Sequence, residues 1–272
     1  MNPPALIDSH CHLDLNHFDL DRDEVVARAQ EAGVVAIITQ GVDIPSSRRA
    51  VALAQRYPAV YAAVGIHPTD CADFRPEMLA ELREMAAHPK VVAIGEIGLD
   101  DYWKRVPLPQ QLHVLRQQLD LAAELGLPVI LHDRETHELM MAELRAWVRQ
   151  RLPGTRLAAR AWPGVLHSFS GDWDMAQEAY DLGFILGLAG PVTFKNARAL
   201  QTLAAQLHPQ RLMLETDAPY LTPHPYRGRR NEPARIQLTA QKLAELWQMP
   251  LAQVATLTTA TAQTFFDLPD PF

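Results

Sequence analysis

The sequence predicts an α/β chain folded as a single-domain (β/α)8 TIM barrel over residues 1–272. Three observations carry that expectation. Short apolar, β-branched runs alternate with amphipathic stretches at a spacing of about thirty residues along most of the chain. The apolar runs show no period-two polarity, so they read as strands buried on both faces, as in a parallel sheet. A length of 272 residues also suits one barrel. The competing architecture, an open doubly wound sheet, usually shows a glycine-rich phosphate turn after its first strand, and none follows here.

In chain order the expected strands are Leu6–His10, Val34–Gln40, Val60–Ile66, Val91–Ile97, Pro128–His132, Gly164–Ser168, Phe184–Leu188 and Arg211–Thr216. Gly33, Gly126 and Gly183 each close an amphipathic run just ahead of a strand, where a left-handed helix cap belongs. Pro58, Pro89 and Pro209 stop helices in the same places, because proline lacks the N–H that a helix interior needs. No linker, low-complexity tract or charge run divides the chain, and residues 267–272 read as an irregular end.

The net charge of −7 argues against a broad footprint on a nucleic-acid duplex, whose affinity comes from many Lys and Arg contacts to phosphates. A local phosphate site remains compatible with it. The 21 arginines against four lysines carry no functional reading. No apolar run approaches the ~20 residues that span a bilayer, and the N-terminus lacks a basic segment followed by an apolar one. Cys11 and Cys71 lie far apart without a C-x-x-C pairing, which suggests neither a disulfide framework nor a cysteine zinc site. A cytoplasmic monomer without membrane contact is expected.

Metal-capable side chains fall at the C-terminal ends of several expected strands, the barrel face that carries active sites in this fold. They are His10 and His12 on the first strand, Glu96 on the fourth, His132 on the fifth, His167 on the sixth and Asp217 after the eighth. His10 and His12 share one face because strand side chains alternate with a period of two. Singly, each has a structural reading: an ion pair for Glu96, a hydrogen-bonded core histidine, a capping aspartate at 217. Six at one rim are harder to dismiss. They exceed the needs of one tetrahedral ion and suit two divalent ions about 3.5–4 Å apart. Glu96 is the expected bridge, with His10, His12 and Asp217 on one ion and His132 and His167 on the other. Such ions lower the pKa of a shared water and supply hydroxide, and Asp217 could accept the water's proton. Zinc, manganese, nickel and magnesium all suit these ligands, and the histidines lean toward a transition ion.

The series Asp8–Asp14 (DSHCHLD), Gly65–Pro68 (GIHP), Gly95–Asp100 (GEIGLD), Leu127–Arg134 (LPVILHDR), His167–Gly171 (HSFSG), Thr193–Asn196 (TFKN), Glu215–Leu221 (ETDAPYL) and Arg227–Pro233 (RGRRNEP) resembles the TatD family of metal-dependent deoxyribonucleases, within the amidohydrolase-like superfamily. The stretches run in family order over nearly the whole chain. The resemblance implies the six-ligand dinuclear site and DNA as substrate. Ser168 stands where cysteine is common and Asp101 where an aromatic is common; neither removes a ligand.

Four residues are expected at the substrate: His67, beside the same rim; Arg134, able to fork onto a phosphate; and, by the resemblance, Arg230 and Asn231 in the densest basic loop. Asp8 is expected to orient a ligand histidine and Cys11 to fill core. With little basic surface, the chain should grip a few terminal nucleotides of single-stranded or frayed DNA. The activity expected is that of a 3′-5′ exonuclease. Two alternatives stay open: hydrolysis of another ester or amide, such as a D-aminoacyl-tRNA linkage, and metal-dependent partner binding without turnover.

Overall fold

A computed structural model describes residues 3–269. Its strands are β1 (Leu6–Cys11), β2 (Val34–Gln40), β3 (Val60–Val64), β4 (Val91–Asp100), β5 (Val129–Arg134), β6 (Gly164–Leu166), β7 (Ile185–Leu188) and β8 (Leu212–Leu214). Between and after them lie α1 (Arg22–Glu31), α2 (Ile44–Arg56), α3 (Glu77–Ala86), α4 (Leu108–Leu125), α5 (His137–Gln150), α6 (Trp173–Asp181), α7 (Arg198–Ala204), α8 (Ile236–Leu246) and α9 (Leu251–Phe266). All eight strands belong to one sheet in the order β1 to β8, with every described pairing parallel. The end of the eighth repeat returns to the first strand: Ser9 Oγ donates to Leu214 O, His12 N donates to Ala218 O at 2.7 Å, and Cys11 bridges Ala218. Sequential order, parallel pairing and this return make the fold a (β/α)8 barrel.

Strand ends depart from the expected ones where hydrogen bonding changes partner. β3 stops at Val64 because the Ile66 N–H goes to the Gln118 side chain at 2.7 Å instead of a neighbouring strand. β4 and β5 run on past Ile97 and His132 to Asp100 and Arg134, which pair with each other in register. β6 and β8 end early, since Ser168 (φ 45°) and Asp217 (φ 55°) turn into left-handed backbone that no ladder continues. The cap at Gly126 is left-handed as expected, at φ 77°. Asp267 caps α9 the same way, and residues 270–272 of the expected tail lie outside the described residues.

Packing groups the chain into two compact units. One comprises residues up to Thr39, Ser168–Ser170 and those from Leu186 onward. In it α9 packs on β1 and β8, Thr259 Oγ1 donates to Ala5 O, and Phe18, Phe265 and Phe266 are fully buried. The other comprises Gln40–His167 and Gly171–Ile185. Its core joins the apolar strands β3 to β5 to α4, and Trp147 to Phe184. Every residue of β4 is buried, its carboxylates Glu96 and Asp100 included.

Candidate metal centre

In the second unit the centre is one carboxylate oxygen. Glu96, 3% exposed on β4, presents Oε1 to His132 Nδ1 at 2.8 Å, to His167 Nε2 at 2.9 Å and to His67 Nε2 at 3.6 Å. Each histidine arrives from a different strand end. His132 lies within β5, His167 follows β6 with its N–H on Leu131 O, and His67 follows β3 with its N–H on Val42 O. The rings of His67 and His132 sit edge to face at 4.4 Å, while those of His132 and His167 stack at 5.7 Å.

The far side of His132 is held by Asp100, whose Oδ2 lies 2.9 Å from Nε2. That bond puts a ring proton on Nε2 and turns Nδ1 toward Glu96, the orientation that outer carboxylates impose on ligating histidines. Burial opposes a charge on His132, but the hydrogen bonds to Asp100 and Glu96 outweigh it and hold the imidazole above its usual range. Asp100 is itself depressed: burial raises it, and His132 together with the Trp103 N–H more than offsets that. His67 is pushed down by burial and by the neighbouring His132, so it is neutral. Its Nδ1 accepts from Thr69 N at 3.2 Å, which leaves Nε2–H as a donor facing Glu96.

In the first unit His10 and His12 lie on one face, as their spacing predicts, with ring centroids 5.2 Å apart. Their Nε2 atoms stand 3.7 and 3.4 Å from the same oxygen, Asp217 Oδ1. Backbone bonding sets this up, because Asp217 N donates to His10 O at 2.8 Å after the left-handed turn. Asp8 works one step removed. Its carboxylate accepts from Thr216 N at 2.9 Å and Thr216 Oγ1 at 2.6 Å, so it braces the residue beside Asp217; its contact with the His10 region is a backbone N–H at 3.4 Å. The expected orienter of a histidine ring is therefore an anchor of the Asp217 turn. Burial pushes the Asp8 carboxyl up to about 8.

The substrate residues divide. Arg134 is exposed at the end of β5 with its guanidinium over the Tyr102 ring at 3.7 Å, and it makes no ion pair among the described residues. Arg230 is committed elsewhere. It forks onto both oxygens of Asp21 at 2.7 Å and donates to His17 O, so a phosphate would have to displace a bidentate partner. Asn231 corrects the expectation outright. It is fully buried, its amide donates to Thr216 O and Tyr220 O, and it pins the loop after β8 rather than meeting a ligand. In the same loop Arg227 and Arg229 line a cleft of about 440 Å³ with His17, Phe194 and Tyr220.

Two functional positions went unread. Asp100 sits on the same face of its strand as Glu96 by period-two parity, and a carboxylate in an otherwise apolar strand was the available signal. Glu215 is 1% exposed and accepts the Ser168 N–H, holding the turn after His167; Gly187 is glycine because a Cβ there would collide with that carboxylate.

Imidazole nitrogens and carboxylate oxygens are the donors a divalent ion takes, and His67, Glu96 and His132 offer such atoms within 4.8 Å of one another. The residues present fit a metal. The family profile for TatD-related DNases matches residues 7–267, nearly the whole described chain. The chain belongs to the TatD family. Among similar members, the metal-dependent hydrolase YabD of Bacillus subtilis is 40% identical over 261 residues, covering 96% of this chain and 98% of that one. A protein of Cronobacter turicensis named 3′-5′ ssDNA/RNA exonuclease TatD is 37% identical, covering 96% and 97%. The crystal structure of the TatD homologue YjjV from Escherichia coli superposes with a TM-score of 0.88 at 34% identity, over 97% of this chain and 98% of that one.

Proposed function

We propose that this chain is a metal-dependent nuclease that removes nucleotides from the 3′ ends of single-stranded or frayed DNA. The observation that carries this is the gathering of three imidazoles on Glu96 Oε1, a buried donor set with no structural need for so many titratable groups. Family membership supports it, as do relatives named as 3′-5′ ssDNA/RNA exonucleases. In this reading His10, His12, Glu96, His132, His167 and Asp217 would hold two divalent ions. Bound divalent ions supply Lewis acidity toward a phosphoryl oxygen and bring the pKa of water toward neutrality.

The chain's own residues then have distinct tasks. Asp217, beside His12, takes the proton of the attacking water. Neutral His67 donates from Nε2 to a phosphate oxygen or to that water, and Asp100 keeps Nδ1 of His132 available as a ligand. The acidic net charge restricts the grip to a few terminal phosphates. No helix among the described residues is long and apolar enough to cross a membrane. A monomer working in the cytoplasm completes the proposal.

The test is a 5′-labelled single-stranded oligonucleotide incubated with protein reconstituted in turn with zinc, manganese, nickel and magnesium, beside Glu96→Ala and a chelator control. A ladder shortening from the 3′ end with wild type alone, lost on chelation, is expected. An intact oligonucleotide beside wild type shown to hold two ions sinks the nuclease reading in favour of another ester or amide.

A further inference from the structure

Immediately beyond Asp100 the chain exposes two large aromatic residues, Tyr102 at 47% and Trp103 at 54%. Their rings meet edge to face with centroids 5.0 Å apart. The guanidinium of Arg134, from the end of β5, lies 3.7 Å from the Tyr102 ring centroid and 5.7 Å from that of Trp103; Arg105 lies 5.6 Å from Trp103 on its own account. Lys104 is exposed between them. Half-exposed aromatics gain little from burial, and a surface cation–π contact is a weak reason to keep two of them.

The loop that carries them is nonetheless held firmly. Trp103 N donates to Asp100 Oδ1 at 2.8 Å, and Asp101 N donates to Arg134 O at 3.0 Å. Gln111, 1% exposed, bonds the backbone of Asp100 through both N–H and C=O and reaches Val106 O beyond the aromatics. The loop is thereby clamped at both ends. One Asp100 carboxylate holds Trp103 with Oδ1 and His132 with Oδ2, so the aromatic pair is a single side chain away from a candidate ligand of the metal.

We infer that Tyr102, Trp103 and Arg134 form a stacking platform for a nucleobase next to the scissile phosphodiester, with Lys104 and Arg105 meeting the flanking phosphates. A fixed π-face bordered by cations is how single strands are gripped without base readout, since every base has a face to stack. The platform therefore favours unpaired nucleotides, whose faces are free, and imposes little sequence preference. Rigidity adds affinity, because nothing need be ordered on binding. This inference rests on the nuclease reading for its substrate and goes beyond it in saying which residues select an unpaired base.

Binding is measured in chelator, where no cleavage occurs, with a fluorescently labelled single-stranded oligonucleotide and an abasic one of equal phosphate count. Wild type should prefer the base-bearing strand by about tenfold or more, in keeping with the alanine-substitution cost of one stacked base. Trp103→Ala should abolish most of that preference without weakening abasic binding, and Trp103→Phe should retain it. Equal affinity of wild type for the two strands, or a preference unchanged in Trp103→Ala, overturns the platform. Cleavage is assayed separately with metal restored. Protein that shows the preference but cuts nothing leaves the platform standing and overturns the nuclease reading.

Discussion

The sharpest perturbation of this centre is Asp100→Asn, a change of one atom in a residue that would touch neither metal nor substrate. Asp100 Oδ1 accepts from Trp103 N at 2.8 Å, so an asparagine must keep its oxygen there and turn its NH2 toward His132 Nε2. That nitrogen now faces a donor, and the ring proton moves to Nδ1, the atom beside Glu96 that should bind the ion. Rotating the amide instead would set its NH2 against the Trp103 N–H. A buried hydrogen bond to a charged group contributes roughly 1.5–3 kcal/mol, which at 1.4 kcal/mol per decade is about 10- to 150-fold in affinity. Metal dissociation constants measured by competition with a chromophoric chelator should rise by that factor. Asp100→Ala, which leaves Nε2 to water, should rise less than Asp100→Asn while melting at the lower temperature. Equal affinities in wild type and Asp100→Asn, or a larger metal defect in Ala than in Asn, would refute the tautomer argument.

Three further outcomes follow from the geometry. Asp21 is held down to about 2, first by its hydrogen bonds to Arg230, so its contribution to stability is present above its usual value near 4 and disappears as pH falls toward 2; with both side chains about a third exposed, screening leaves roughly 1 kcal/mol of it. The stability gap between wild type and Asp21→Asn in urea should shrink from pH 6 to pH 3, and a constant gap contradicts the ion pair's role. Gly98→Ala introduces a Cβ into the carbonyl of His132 at φ 152°, and overpacking plus backbone strain should cost roughly 2–6 kcal/mol, read as a lower melting temperature and reduced metal content; a neutral substitution refutes the close approach. Asn231→Ala strips buried donors from Thr216 O and Tyr220 O, with an expected loss of roughly 2–4 kcal/mol. Thermal melts check it, and full stability combined with a specific loss of oligonucleotide binding would restore Asn231 to the substrate.

The barrel was legible because its signals are local and repeated. Apolar runs such as Val34–Gln40 and Val91–Ile94 need no partner to declare a buried strand, and Gly126 marks a helix end by a backbone preference of its own. The pairing of His10 with His12 followed from parity alone. What stayed hidden depended on a partner distant in sequence. Arg230 looks like a phosphate ligand until Asp21, some two hundred residues earlier, is found in its fork. Asn231 looks like a polar surface residue until the carbonyls of Thr216 and Tyr220 close around it. Polar side chains in loops are ambiguous because the same donors can serve a ligand or a carbonyl, and only the fold decides which.

Strand termination and ligand presentation are one event at this rim, which explains why the expected strand ends were off by a few residues at the positions that matter. A strand continuing through Asp217 would carry its carboxylate along the ladder. The left-handed turn there ends β8, returns the chain to β1 through Ala218 and Cys11, and swings Oδ1 onto His10 and His12. Ser168 does the same after β6, where its N–H is caught by Glu215 and His167 is left facing Glu96. Such conformations cost about 1–3 kcal/mol each at a non-glycine residue and persist only where surrounding contacts over-determine them. Here those contacts are the buried carboxylates of Asp8 and Glu215. Each carboxylate thus holds a turn, and each turn aims residues of the proposed ligand set.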